Sequence, residues 1–166
     1  EGIELYAYNN TSLVEPTELA PDEAKNIAQG HYDQWFDSAK EFLDTSNYDF
    51  GKNRLSKASF ELHQAAERFL SCILLVFTNY RPKTHNIKAL TSLAAQHADE
   101  LKGVFPQDTK FNRRCFELLK RAYIESRYSE HYTITDEELT WLAERVQALQ
   151  TLTEQLCKVK IHSYTA

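Results

Sequence analysis

The 166-residue sequence contains no methionine. A natural chain starts with one, so Glu1 reads as an internal position of a longer protein unless the end was processed. No apolar stretch of signal-peptide type leads it, so secretory processing is not suggested. Glycine and proline are scarce, at four each. That disfavours long loops and many tight turns, and favours helices over a β-sandwich. Long hydrophobic runs are also missing. The longest, 69–77, is broken by Ser71 and is far too short to span a bilayer. Only three cysteines occur, Cys72, Cys115 and Cys157, with no Cys-x-x-Cys pair. An odd and scattered set reads as small buried hydrophobes in a reducing compartment, hence a cytoplasmic location. The six histidines are scattered too, without a His-x-x-x-His or His-Glu-x-x-His pair. No zinc or di-iron site is expected, and no cofactor.

The charge that is present is unevenly placed. The net value is −5, yet residues 1–24 hold six acids (Glu1, Glu4, Glu15, Glu18, Asp22, Glu23) and no lysine or arginine. Residues 25–166 therefore sum to +1, and 110–127 alone reach +4 through Lys110, Arg113, Arg114, Lys120, Arg121 and Arg127 against two glutamates. Such a block is either a solvated helix face or a patch that meets phosphate.

Residues 1–8 alternate, with Ile3, Leu5 and Ala7 on one side and Glu4, Tyr6 and Tyr8 on the other. This is a strand pattern without a partner strand elsewhere in the chain. It reads, with the polar linker up to residue 20, as the tail of a preceding domain. From residue 21 the periodicity is helical. A first helix over 21–46 opens at Pro21 and is followed by a turn at 47–51. A second spans 52–79, and its latter half is apolar nearly all round, which marks it as central. A third spans 87–102 with Asn86 as N-cap, and a fourth 109–129. The fifth opens on Thr135 with Glu138 three residues on, a capping box. Long amphipathic helices on short connections give an all-α, antiparallel up-down bundle of about five helices over 21–166.

Three constellations could carry chemistry. On the second helix His63 and Glu67 share a face, with Gln64 beside them. Polar groups there are either a hydrogen-bonded layer that fixes helix register or the lining of a ligand pocket. The segment Arg81-Pro82-Lys83-Thr84-His85-Asn86 leads into a helix N-terminus, which is either an ordinary basic loop or an anion site. On the fourth helix Arg113, Lys120 and Arg127 recur every seven residues, and Tyr123 shares a face with Arg127. Arginine suits phosphate and tyrosine can stack a base.

The run Phe60 to Glu67, then Thr84-His85-Asn86-Ile87 with Leu90, then Tyr123 through Arg127-Tyr128 to Ile134 and a long closing helix, resembles the HEPN family (higher eukaryotes and prokaryotes nucleotide-binding) across roughly 24–160. The resemblance implies a helical bundle, often dimeric, that commonly follows a minimal nucleotidyltransferase domain. Residues 2–8 are similar to the tail of such a domain. It implies one of two activities. Some members are metal-independent ribonucleases of toxin type, using an arginine and a histidine with four to six residues between them, often with asparagine after the arginine. Here only Arg127 and His131 come near, with three residues between and Tyr128 following. Other members bind nucleotides or serve as non-catalytic partners of the transferase.

The leading expectation is therefore a non-catalytic module that binds a nucleotide or nucleic-acid phosphate for a fused nucleotidyltransferase domain. Gln64, Glu67, His85, Arg127 and Tyr128 would line the pocket, with Glu67 holding Arg127 or accepting from the ligand. A homodimer joined near the fourth helix is expected, with no membrane partner. A ribonuclease using Arg127 and His131 ranks second, and a purely structural dimerisation bundle third.

Overall fold

The computed structural model describes residues 19–164, which form five α-helices and no strand. They are α1 (Pro21–Gly51), α2 (Leu55–Thr78), α3 (Ile87–Ala94), α4 (Lys110–Tyr128) and α5 (Asp136–Ser163), with a 3₁₀ turn at Asp99–Gly103 between α3 and α4. The strand and linker expected over 1–20 fall almost wholly outside the described residues.

Cross-helix contacts fix the directions. Ser46 meets Ala58, Phe36 meets Phe69 and His31 meets Asn79, so α1 and α2 are antiparallel. His63 meets Leu119 and Phe60 meets Tyr123, so α2 and α4 are antiparallel as well. Arg114 meets Glu138 and Phe111 meets Trp141, which reverses α5 against α4. The expected all-α up-down bundle is what the chain forms. α2 packs on every other helix, while α1 and α4 occupy opposite flanks of the α2–α5 pair.

The centrality of α2 follows from its composition. Phe69, Leu70, Cys72, Ile73, Leu74 and Val76 are all buried, because a helix that is apolar all round has no face to give to water. Each large side chain so placed stabilises the fold by ~1.5–3 kcal/mol relative to exposure. Cys72 and Cys157 lie side by side in this core as free thiols, Sγ to Sγ 3.9 Å. No described helix is long and apolar enough to cross a membrane.

Two helix boundaries differ from the sequence reading. α1 continues through the expected turn at 47–51, because Asp49 is buried there and pairs with Lys57 at 2.9 Å and Arg54 at 3.2 Å. Those cations hold its carboxyl below the usual carboxylate range against the opposing effect of burial. The reversal takes only residues 52–54, with Asn53 left-handed at φ 57°. The third helix stops at Ala94 rather than 102. Gln96 and His97 tighten onto carbonyls three residues back, and Ala98 turns extended at φ −155°. That break lets Leu101, Val104 and Phe105 enter the core from a different angle. The fifth helix starts as expected, with Thr135 and Glu138 exchanging both bonds of the capping box.

Candidate functional site: a buried histidine–carboxylate layer behind a basic cleft

The most polar part of the interior begins at Glu67, only 6% exposed on α2. Its Oε2 lies 2.8 Å from His85 Nδ1 and 3.7 Å from His63 Nε2. Burial alone would raise the Glu67 carboxyl, but the two histidines outweigh it and hold the group below the usual carboxylate range. His63 is fully buried, and its Nδ1 sits 2.8 Å from the Leu119 carbonyl. A carbonyl only accepts, so that nitrogen carries a proton. Nε2 of the same ring faces the Glu67 carboxylate at 3.7 Å, beyond hydrogen-bond reach.

His85 carries the layer outward. Its other nitrogen, Nε2, lies 3.1 Å from the Tyr123 hydroxyl, and the two rings stack at 4.0 Å and 16°. With Nδ1–H donated to Glu67, neutral His85 accepts from the phenol. A polar layer thus runs from the α4 backbone through His63, Glu67 and His85 back to Tyr123 on α4, hydrogen-bonded at every step but that between His63 and Glu67.

His85 and Tyr123 form one wall of a cleft of about 600 Å³ between the start of α3 and the outer face of α4. Lys88, Lys120 and Arg121 supply its cations. Lys120 pairs with Glu117 at 2.6 Å and Arg121 with Glu125, so among the described residues Lys88 is the cleft cation without a carboxylate. At the α3 N-terminus Asn86 caps the Ala89 amide with its side chain. The amides of Ile87 and Lys88, which also line the cleft, have no acceptor among the described residues. The arrangement can hold an anion at its helix end and a flat group along its His85–Tyr123 wall.

The expected pocket residues separate. His85 lines the cleft and Glu67 supports it from behind. Gln64 sits half-buried on α2 with Oε1 unpartnered, away from the cleft. Arg127 does not meet Glu67, which corrects that expected pairing. It donates through Nε to the Tyr123 carbonyl at 2.9 Å and lies over the rings of Phe60, Tyr123 and Tyr128 at 4.5–5.0 Å. The Tyr123 carbonyl, one turn back on α4, gives the guanidinium a local acceptor, whereas Glu67 is already met by two histidines. Tyr128 is 76% exposed beside it. α4 ends at Tyr128, and Ser129 is extended, so His131 lies beyond the helix with its amide on Ser129 Oγ. Among the described residues no group of three or more His, Cys, Asp or Glu is placed to hold a metal ion.

His63 and Tyr123 carry more of the site than the sequence reading gave them. Their spacing to Glu67 and Arg127 was visible. What joins them is His85, which arrives from a loop. Comparison with protein families matches residues 32–156 to the HEPN domain. No curated relative matches the chain significantly. The matched stretch runs from within α1 to within α5 and so spans most of the bundle and every residue of the layer and cleft, and the chain belongs to the HEPN domain family.

Proposed function

We propose that this domain binds a phosphate-bearing ligand, a nucleotide or the end of a nucleic-acid strand, in the cleft between α3 and α4. It acts without catalysis of its own, as the accessory module of a nucleotidyltransferase domain in the same protein. The observation that carries the reading is the joint placement of Lys88, Lys120, Arg121 and the unfilled amides of α3 around a His85–Tyr123 wall. Phosphate would take the amides and Lys88. A base would lie along the wall, where Ile124 adds an exposed apolar edge. Only a few cations contribute, so affinity is modest and falls with salt as expected for a few contacts.

Titration calorimetry with a nucleoside triphosphate tests this. Binding that weakens at least several-fold in Lys88→Glu, with the helical circular dichroism unchanged, supports the reading. Absence of binding to any nucleotide or short oligonucleotide moves the structural bundle into first place. Ile124 and Tyr128, exposed on α4 next to the cleft, also support a homodimer joined through that helix, which light scattering at high micromolar concentration checks.

A further inference from the structure

His85 stands between a buried charge and the open cleft. Its side chain is half-exposed, and behind it the nearly buried Glu67 carboxylate lies 2.8 Å from Nδ1. Glu67 stays ionised in the fold, because two histidines hold its carboxyl below the usual carboxylate range against the effect of burial. In front, His85 Nε2 meets the Tyr123 hydroxyl at 3.1 Å. The charged and titratable groups around this ring come from α2, α3 and α4. α2 supplies Glu67, with His63 a further 3.7 Å beyond it. α4 supplies Tyr123 and, along the cleft, Lys120 and Arg121 with their partners Glu117 and Glu125. α3 supplies Lys88.

These charges fall short of what a phosphate end carries. Two of the three lining cations are matched by carboxylates of the same cleft, and the Glu67 charge behind the wall offsets the third, Lys88. The site with its backing is therefore close to neutral. A terminal phosphate monoester has a second pKa of about 6 and is a dianion at pH 7.5. An internal diester carries a single charge. A dianion gains more than a monoanion from each positive charge that the wall can add. Histidine is the side chain that ordinarily gains or loses its charge near neutrality, and His85 is the histidine that lines the cleft. It is also the group that already has a carboxylate behind it.

We propose, on the reading of the cleft as a phosphate site, that it takes a terminal phosphate monoester together with one proton, held on His85 between the Glu67 carboxylate and the ligand. The proton comes from solvent and adds to Nε2, and no covalent bond of the ligand is made or broken. Nδ1–H stays on Glu67. Nε2–H then donates to the Tyr123 oxygen, and the phenol hydrogen, released from the ring, turns to a phosphate oxygen. One hydrogen bond reverses, and the wall gains both a charge and a donor. Glu67 is a positioning residue in this scheme. It does not meet the ligand, but it orients the ring and balances the imidazolium. A diester, with less charge, draws the proton less strongly and binds more weakly.

Titration calorimetry of the intact chain with adenosine 5′-monophosphate at pH 7.5, in two buffers of different ionisation enthalpy, counts the protons taken up. The expected uptake is about half a proton or more per ligand bound. The monophosphate should bind at least about five-fold tighter than its methyl ester, whose phosphate is a diester. Glu67→Gln keeps an acceptor for Nδ1–H but loses the charge. In that variant and in His85→Gln, uptake should fall below about 0.2 proton and the preference over the ester should largely disappear. A 5′-phosphorylated trinucleotide run alongside separates the two sources of such a phosphate. Tighter binding than the monophosphate, at equal uptake, supports a strand end, and equal or weaker binding supports a free nucleotide.

Circular dichroism verifies that each variant is folded. His85 sits on a loop and is half-exposed, so its variant decides the matter even where Glu67→Gln does not fold. Binding of the monophosphate without proton uptake overturns the proposal and leaves the cleft a phosphate site. So does uptake that persists in His85→Gln, which would put the proton on the ligand or on another group. Uptake unchanged in a folded Glu67→Gln, or equal affinity for the monophosphate and its ester, overturns it as well. If the monophosphate, the ester and the triphosphate all fail to bind, the cleft is not a phosphate site and both readings fall.

Discussion

Glu67 and His85 meet across eighteen residues of sequence, carboxylate to Nδ1 at 2.8 Å, and through this contact a buried acid sets the orientation of a ring at the surface. That contact has a distinctive mutational signature. In Glu67→Gln the amide oxygen can still accept from His85. We expect Glu67→Ala to cost about 1.5–3 kcal/mol in urea unfolding at pH 7, and Glu67→Gln less than about 1. Equal losses for the two would mean that charge, rather than hydrogen-bond complementarity, holds the layer.

Acid should destabilise the domain. Glu67, Asp49 and Glu138 are all held below the usual carboxylate range in the fold, Glu138 by the Thr135 amide and Arg114 against the opposing effect of burial. A depressed folded-state value means that the unfolded chain binds more protons near pH 4. The stabilisation is therefore complete above about pH 4–5, the range of free carboxyls, and is lost as pH falls through the lower folded-state values. Thermal melting from pH 6 down to about 2.5 should show a steadily falling Tm. The fall should be shallower in Asp49→Asn. A melting temperature independent of pH over this range would contradict these assignments.

Asn53 and Asn79 both adopt the left-handed conformation, at φ 57° and 54°, yet they should answer differently to glycine. Asn53 has no side-chain bond among the described residues, so Asn53→Gly relieves strain and gains about 0.5 kcal/mol. Asn79 holds His31 through Oδ1, so Asn79→Gly loses that contact and gains nothing. Denaturant midpoints of the two variants, compared at equal m-value, measure the contrast.

RNA cleavage is not expected from this chain. Arg127 spends its Nε edge on the Tyr123 carbonyl, and His131 lies past the extended Ser129, off the helix that carries Arg127. Incubation with single-stranded RNA in a chelator should leave it intact. Time-dependent cleavage that disappears in His131→Ala would reverse the ranking of the two functional readings.

The helices were legible because their apolar stripes are local. The periodicity of 69–76 marked α2 as the centre, and Thr135 with Glu138 marked the start of α5. The end of α1 was not legible, since Asp49 looks like a turn residue until Lys57 and Arg54 are placed around it. The layer was half visible. Spacing put His63 beside Glu67, but nothing in the sequence says that His85 joins them from a loop, or that Tyr123 stacks on it 38 positions later. Arg127 was assigned to Glu67 because it is a cation on a neighbouring helix. The sequence offers no sign that two histidines have already filled that place.

The central position of α2 also bears on how the chain is made. Of the five helices α1 and α2 are released before the rest, and the three-residue reversal between them lets this hairpin close early. Its apolar surface then waits for α5, the last of the five helices to emerge. Until then Cys72 and its neighbours face solvent or a chaperone. Nascent chains arrested before residue 136 should therefore bind an apolar dye and present a reactive Cys72 thiol, and both properties should vanish once α5 has emerged.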